Sequence, residues 1–219
     1  MVRSRRLVFD AGLYHPIIDA VATTASQSAP TNILDAGCGE GSYLARATAV
    51  SGATGWGIDI SKPAIRLASR RHTTHHYAIA SSYSLPFADD SFDAILNVFS
   101  PRDFDEMERV LVLGGVAVVV TPGPRHLAAL KAMIYDDPRE HVDRADATGL
   151  AADDDEPTPD NVETVNFEVT LDDSTLRLAL LEMTPFWWST VPERRAAIAA
   201  TDFMVEVDVR ISTYRKTAL

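Results

Sequence analysis

Apolar runs of strand length alternate with longer amphipathic segments through the first 121 residues. The runs lie at 32–36, 55–60, 77–80, 92–99 and 116–121. The last run is rich in β-branched residues, which is typical of a strand that is buried on both faces. Because strands alternate with helical segments, the pattern predicts a doubly wound, Rossmann-like α/β sheet that is mostly parallel.

Helical periodicity and helix-starting residues fill the intervals between the strands. Pro16 and Pro63 stand where the first turn of a helix accepts proline. We predict helices at 3–11, 17–24, 42–50, from Pro63 onward, and at 104–112, 127–135 and 174–183, with a turn at Gly114-Gly115. Residues 162–170 and 203–214 alternate apolar with polar positions, and the second segment predicts a final antiparallel strand.

Three glycines at alternating positions follow the first predicted strand directly. The run Asp35-Ala36-Gly37-Cys38-Gly39-Glu40-Gly41 leads into a helix. Strand, glycine turn and helix begin a nucleotide-binding sheet, because glycines let the backbone come close to a ligand. Asp59 ends the second strand 18 residues after Gly41, where a carboxylate can accept hydrogen bonds from ribose hydroxyls.

Glu40 indicates which ligand the glycine loop binds. A carboxylate inside the loop would repel a pyrophosphate, whereas it can pair with a cationic or hydroxyl-rich ligand. This favours S-adenosylmethionine (SAM) over a dinucleotide. Since such sheets bind ligands at the carboxyl ends of their strands, we expect one crevice to be lined by Gly37–Gly41, Asp59, Ser81 and residues 97–101.

Specific roles follow from this placement. We expect Gly37, Gly39 and Gly41 to bind the methionine end of SAM and Asp59 to bind the ribose hydroxyls. Ser81 is expected near the adenine, and Glu40 near the ribose or the amino group. The predicted site further includes the neighbouring residues Asp35, Ile60, Ser82 and Asn97. The sequence identifies no catalytic residue and no metal site.

The net charge of −11 comes from one part of the chain. Residues 136–173 hold 14 acids and 2 arginines, whereas the rest holds 17 acids and 18 bases. The acidity argues weakly against nucleic-acid binding by the whole surface and says little about the catalytic face. Cys38 is the single cysteine, which excludes an internal disulfide. No apolar segment is long enough to cross a bilayer, so we expect a cytoplasmic enzyme without membrane contact.

Four clusters allow both a structural and a functional interpretation. Arg3, Arg5 and Arg6 form either a solvated helix face or a phosphate-binding patch, and His72, His75 and His76 form either a solvated loop or a set of metal ligands. Residues 147–161 form either a mobile loop or an active-site lid. Trp187 and Trp188 serve either core packing or base stacking. We favour the structural interpretation of all four.

Several motifs together resemble class I SAM-dependent methyltransferases over about residues 30–121. They are the glycine run, Asp59, Leu85-Pro86-Phe87 with Ser91-Phe92-Asp93, and Leu113-Gly114-Gly115 before the fifth strand. The resemblance implies a SAM-binding core at 30–121, preceded by helices at 1–29. It also implies an acceptor-side half at 122–219, all within a single domain.

A narrower resemblance covers nearly the whole chain. Arg5-Arg6 with residues 10–16, Ala80-Ser81-Ser82, Thr121-Pro122-Gly123-Pro124-Arg125-His126-Leu127 and Met183-Thr184-Pro185-Phe186 are similar to the large-subunit ribosomal RNA (guanine-N1)-methyltransferase family. Some antibiotic-resistance methyltransferases of tylosin producers belong to that family. The resemblance implies SAM contacts from Tyr14, Gly39, Glu40, Asp59, Ser81 and His126.

The sequence departs from that family in three ways. Leu113 replaces the usual proline before Gly-Gly, the acidic run at 151–156 is not a feature of the family, and the family's N-terminal zinc module of three cysteines and a histidine is not found ahead of the matching region. Either the sequence is a truncated or mis-started version, or it is a homologue that lost the module. We expect RNA binding to require that module. The acceptor is therefore either ribosomal RNA or a small molecule, and a non-catalytic SAM-binding protein is a third alternative.

Overall fold

The computed structural model describes residues 1–136 and 156–218, which contain one seven-stranded sheet. Its strand order is β3-β2-β1-β4-β5-β7-β6. The strands are β1 Asn32–Ala36, β2 Thr54–Asp59, β3 His76–Ile79, β4 Phe92–Val98, β5 Leu111–Pro122, β6 Asn161–Leu171 and β7 Phe203–Arg215. Strands β1 to β5 pair in parallel, whereas β7 lies antiparallel between β5 and β6. The predicted α/β class, with its mostly parallel sheet and antiparallel C-terminal strand, is confirmed.

The helices connect and cover these strands. They are α1 Val2–Asp10, α2 His15–Ser26, α3 Ser42–Ser51, α4 Lys62–Arg71, α5 Phe104–Val110, α6 Ala128–Ile134, α7 Ser174–Glu182 and α8 Pro192–Ala200, with a 3₁₀ turn at Pro185–Ser189. Pro16 and Pro63 occupy first-turn positions of α2 and α4, as predicted.

Alternating side chains of the central strands fill two cores, one on each face of the sheet. Ile33 of β1 and Val118 of β5 pack on the face covered by α2, α3 and α7. Leu34 and Val119, one position further along, pack on the other face with Met107 of α5. Because both faces are covered, these strands are continuously apolar rather than alternating.

The order of the parallel strands reverses between β1 and β4. From β1 the chain moves outward to β2 and β3, then returns to place β4 and β5 on the other side. Such a reversal opens a crevice at the carboxyl ends of the two strands, where ligands bind in open α/β sheets. The glycine loop after β1 and residues 97–101 at the end of β4 both belong to that edge.

Several predicted boundaries were wrong: β5 begins at Leu111 rather than 116, and β3 and β4 each end one residue earlier than predicted. β2 ends at Asp59, which leaves Ile60 outside the strand. Helix α5 ends at Val110 rather than 112, because Leu111 is extended and pairs with Phe92. The predicted turn at Gly114-Gly115 lies within β5: Gly114 has φ +82°, and its N–H donates to the Lys216 carbonyl at 2.9 Å.

Two clusters also differ from expectation. Trp188 is 75% exposed, so core packing was the wrong interpretation for this residue. His76 is the first residue of β3, and its ring stacks on Trp56 with 4.2 Å between centroids, so a solvated loop was the wrong interpretation for this residue. Within the part of the chain that the structure describes, no group of three or more His, Cys, Asp or Glu residues could hold a metal ion.

Residues 147–155 of the predicted acidic loop lie outside the described residues, and Asn161, its last residue, begins β6. No helix among the described residues is long and apolar enough to cross a membrane.

Candidate cofactor site

The glycine loop has a left-handed backbone at each of its three glycines. Gly37, Gly39 and Gly41 have φ angles of +92°, +57° and +89°. A Cβ on Gly37 would lie 1.9 Å from the Ser100 hydroxyl oxygen, and one on Gly41 would lie 2.6 Å from the Tyr77 hydroxyl. Both backbone conformation and space therefore require glycine here.

Asp59, at the end of β2, stabilises this loop through hydrogen bonds. Its Oδ2 accepts a hydrogen bond from the Gly39 N–H at 2.9 Å, and its Oδ1 accepts one from the Ser61 N–H at 2.7 Å. Each carboxylate oxygen can accept more than one hydrogen bond, so ribose hydroxyls could be added to these contacts. The same residue thus shapes the loop and offers acceptors beside it.

Asp35 is the second-last residue of β1, just before the loop, and is 1% exposed. Burial raises the pKa of its carboxyl to about 7, and the positive charge of Arg5 opposes that rise. The cause is the loss of hydration of the charged form. An arriving cation would stabilise the ionised carboxylate at this position.

Glu40 is also buried, at 2% exposure. Its Oε1 accepts a hydrogen bond from the Ser42 N–H at 3.3 Å, at the N-terminus of α3. Its Oε2 lies 3.9 Å from the Nη1 atom of Arg71 on α4. Helix dipole and guanidinium both compensate this buried negative charge.

Buried polar atoms without a hydrogen-bond partner gather around the loop. Within the described ranges they include Arg5 Nε, Asp35 Oδ2, Glu40 Oε2, Tyr43 Oη, His72 Nε2, Tyr77 Oη and Asn97 Oδ1. Most buried polar groups in folded proteins have a partner, so such a group of orphans suits a ligand with several polar groups. SAM carries an ammonium, a carboxylate and ribose hydroxyls, and the residues present fit it.

Asn97 and the two serines occupy different parts of the predicted crevice. Asn97 is fully buried, and its Nδ2 donates to the carbonyls of Ala36 at 3.0 Å and Pro101 at 3.1 Å, which ties β4 to β1. Ser81 and Ser82 follow β3 and are partly exposed, with the Tyr83 N–H donating to Ser81 Oγ at 3.2 Å. Ile60 is 77% exposed beside Asp59. Their contacts with SAM stay predictions.

Three aromatic side chains, those of Tyr14, Phe99 and His126, pack together at the carboxyl end of β4. Phe99 has the left-handed φ of +51°, a strained conformation for a non-glycine residue that is common at functional sites. Its ring lies 6.4 Å from that of Tyr14 and 5.6 Å from that of His126. Tyr14 and His126, 112 positions apart in the sequence, are therefore brought together by Phe99.

The segment carrying His126 is held by β7. The Gly123 N–H donates to the Asp208 carbonyl at 2.8 Å, and the Arg125 N–H donates to Asp208 Oδ2 at 3.0 Å. A Cβ on Gly123 would lie 2.5 Å from the same carboxylate. This close approach explains why the turn after β5 contains glycine.

Arg5 was assigned to the wrong environment by the sequence analysis. Its guanidinium lies against Gly39, with its central carbon 3.1 Å from where a Cβ would stand, and 5.2 Å from the Phe9 ring centroid. The helical spacing of Arg5 from Val8 and Phe9, both buried, places it on the inner face of α1. That spacing was the signal that could have separated it from the exposed Arg3 and Arg6.

Comparison with known proteins identifies the family. The Methyltransferase domain family matches residues 33–123. A Bacillus subtilis protein named "Putative 23S rRNA (guanine-N(1)-)-methyltransferase YxjB" is 32% identical, over 94% of this chain and 76% of its own. The chain belongs to this family of SAM-dependent methyltransferases. A Streptomyces fradiae member, the "23S rRNA (guanine(748)-N(1))-methyltransferase", is 40% identical over 59% of this chain and 49% of its own.

Solved structures agree with this membership at the level of the fold. The YcgJ protein of Bacillus subtilis superposes with a TM-score of 0.63 at 17% identity, covering 94% of this methyltransferase and all of that chain. A putative methyltransferase from Bacillus halodurans superposes with a TM-score of 0.57 at 14% identity, over 92% of this chain and 99% of that chain. The predicted family, Rossmann-like fold and SAM dependence are all confirmed.

Proposed function

We propose that this enzyme transfers the methyl group of SAM to N1 of a guanine in large-subunit ribosomal RNA. The observation that carries the proposal is the nearly end-to-end match to relatives named for that reaction. Besides the Bacillus subtilis protein, a Micromonospora griseorubida protein with the same activity in its name is 31% identical over 98% of this chain and 79% of its own. An RNA acceptor would place the enzyme in the cytoplasm, and we retain the division of one domain into 1–29, 30–121 and 122–219.

The glycine loop and its surroundings would hold SAM. Asp59 is assigned to the ribose hydroxyls, Asp35 and Glu40 to the amino end, and Ser81 with Ser82 to the adenine. When bound, SAM supplies a methyl group activated by a positively charged sulfur. Because that charge is lost in the reaction, an anion beside the sulfur would stabilise the ground state more than the transition state. Carboxylates at the two ends of the ligand avoid that penalty.

The chain's own contribution would be alignment of the acceptor. In-line methyl transfer needs the acceptor nitrogen held opposite the leaving sulfur, which is a gain from proximity. Phe99 is partly exposed at the carboxyl end of β4, where a guanine could stack on it, and the buried Tyr14 and His126 rings support it from behind. The guanine N1 proton must leave during transfer, and we assign no side chain to accept it. A guanine inside a duplex would also have to be flipped out.

A second candidate is methylation of a small molecule, which one feature of the structure favours. The described residues 156–173 include Glu156, Asp160, Glu163, Glu168, Asp172 and Asp173, and no lysine or arginine. Negative charge on β6 and its flanks raises the cost of approach for a phosphate backbone, and salt would screen this effect.

Methyl transfer from labelled SAM to transcribed fragments of 23S ribosomal RNA tests the proposal. We expect label in the RNA and a reverse-transcription stop at one guanine, because a methyl group on N1 blocks base pairing. The Bacillus subtilis relative, assayed in parallel, shows whether the RNA fragments are substrates, and Gly39→Val, which should bind SAM poorly, supplies the negative control. The assay is run with this chain alone and with a zinc module of the family joined to it, because RNA binding is expected to require that module. If the relative labels the RNA and neither form of this chain does so while binding SAM, the acceptor is not this RNA.

A further inference from the structure

Helix α1 lies beside the glycine loop and is fastened at both ends. Near its start, the Ser4 hydroxyl donates to Glu182 Oε2 of α7 at 2.6 Å. At its end, Asp10 accepts hydrogen bonds from Arg71 of α4 at 2.5 Å and from Arg6 at 3.1 Å. These contacts fix which residue of α1 faces the loop, and that residue is Arg5.

The guanidinium of Arg5 is placed for a ligand rather than for a partner within the chain. It is half-buried against Gly39, and its Nε is buried without a hydrogen-bond acceptor. Across residues 1–136 and 156–218, no carboxylate lies within ion-pairing distance of it. A buried or half-buried arginine normally pairs with a carboxylate or phosphate, for which its planar fork is suited.

A second observation points to the same ligand. Asp35 is buried beneath the loop, and its Oδ2 has no hydrogen-bond partner among the described residues. The positive charge of Arg5 acts on Asp35, although no hydrogen bond or ion pair joins the two side chains in the described part of the chain. A cationic and an anionic side chain thus each keep one buried polar atom without a hydrogen-bond partner, near the Gly39 backbone. A zwitterion would satisfy both of them.

We propose that Arg5 binds the methionine carboxylate of the cofactor and so selects ligands that carry this group. The proposal rests on the assignment of the glycine loop to SAM made above. Arg5 thereby makes α1 part of the cofactor site, whereas the Methyltransferase domain match begins only at residue 33. No methyl acceptor is involved in this role.

Calorimetric binding of two ligands tests the proposal without RNA, so its result is independent of the acceptor. The ligands are S-adenosylhomocysteine, which keeps the carboxylate, and 5′-methylthioadenosine, which lacks the carboxylate and amino groups. For Arg5→Gln we expect affinity for S-adenosylhomocysteine to fall by about 10- to 100-fold, as for loss of a charge-assisted hydrogen bond. Affinity for 5′-methylthioadenosine should stay within about twofold, since no contact with it is lost.

Two further variants separate charge from structure. Arg5→Lys keeps the charge without the planar fork, and we expect an intermediate loss for S-adenosylhomocysteine. Arg3→Gln, which removes an exposed arginine of the same helix, should leave both affinities unchanged. Thermal unfolding without ligand checks that each variant is folded.

The contrary results are distinct. If Arg5→Gln lost affinity equally for both compounds, Arg5 would stabilise the loop rather than bind the carboxylate. If its affinity for both were unchanged, Arg5 would not contact the cofactor. Either result overturns the proposal. A wild-type chain that binds neither compound would overturn the assignment of the loop, and this proposal with it. Binding accompanied by failed RNA methylation would refute only the proposed acceptor.

Discussion

The loop that follows β1 and the C-terminal pair β6–β7 lie on opposite sides of β4 in one sheet, and they use buried charge differently. Near the loop, Asp35 and Glu40 each keep a buried carboxylate oxygen without a hydrogen-bond partner among the described residues. On the other side, Asp208 of β7 is equally buried but accepts the Arg125 N–H. Arg177 of α7 is intermediate: it donates to the carbonyls of Leu171 and Ala199 and pairs with Asp202, and only its Nε has no hydrogen-bond partner among the described residues.

This difference separates groups that prepare a site from groups that hold the fold. An unsatisfied buried charge costs stability, so it is retained where a ligand will meet it. A satisfied one rigidifies its surroundings, as Asp208 does for the turn that carries His126. The family match to the Methyltransferase domain, residues 33–123, covers the first region and stops near the second. Cofactor binding is thus the shared part, and the C-terminal strands are where acceptor choice can vary.

The largest effect that tests this comparison concerns Asp35. Its pKa is raised from an ordinary 3.8 to about 7, so the folded protein prefers the protonated carboxyl. The contribution of Asp35 to wild-type stability should therefore fall as pH rises from about 4 to about 7 and then level off. Asp35→Asn does not titrate, so its advantage should grow over that range to at most about 4 kcal/mol. Denaturant unfolding at pH 5 and 8 measures it.

The gain in stability should come with a loss of function. Asp35→Asn removes the negative charge assigned to the amino end of SAM, so we expect weaker binding at pH 8 despite a more stable fold. Asp19→Asn, at an exposed ion pair with Arg46, is the matched control and should change stability little at either pH. A stability difference that did not depend on pH would contradict the account of Asp35.

The next effect concerns Gly39, whose backbone the ligand is expected to approach. Gly39→Val places a branched side chain at φ +57° and against the Arg5 guanidinium. We expect SAM affinity to fall by at least about 100-fold, while the fold persists because the clash is with the flexible end of one side chain. Calorimetry with circular dichroism checks both. Tight SAM binding by this variant would show that the loop is not the cofactor site.

A smaller effect is expected at Asp59. Asp59→Ala removes acceptors for the ribose and also the hydrogen bond from the Gly39 N–H. Loss of charge-assisted hydrogen bonds should weaken SAM binding by about 1–3 kcal/mol. Asp89→Ala, which removes an exposed carboxylate bound to Arg109, controls for the general loss of surface charge. Equal affinity of the Asp59 variant and the wild type would exclude this carboxylate from the site.

The smallest effect concerns the other side of the comparison. Glu163 and Glu168 are exposed on the edge strand β6. If RNA approaches this side, the double variant Glu163→Gln with Glu168→Gln should bind ribosomal RNA fragments severalfold more tightly, by about 1 kcal/mol at low salt and less at high salt. Filter binding at two salt concentrations measures it, with the exposed Glu108→Gln on α5 as control. An identical change in the control would mean that only net charge matters.

The sequence alone predicted the strands and the glycine loop of the cofactor site, because the patterns that predict them are local. The spacing of the glycines, the position of Asp59 and the apolar runs of β1, β4 and β5 depend on neighbours within about 20 residues, and each predicts its element directly. The resemblance also predicted SAM contacts from Tyr14 and His126, without showing what joins these residues. Local reasoning failed at Gly114, which lies where the pairing of β5 with β4 shifts register between Leu111 and Val116. Glycine suits such an irregularity in a strand as well as a turn.

Tertiary structure decided what depends on distant partners. Only the folded chain shows that α1 turns Arg5 toward Gly39, that His76 enters a strand to stack on Trp56, and that Phe99 brings Tyr14 to His126. It also inserts β7 between β5 and β6, which lets Asp208 hold the turn before His126. These contacts join residues far apart in the chain. A local pattern, such as the spacing of Arg5 from Val8 and Phe9, can show that a residue faces inward but not which residue it meets, because burial and charge pairing are settled only when the elements pack.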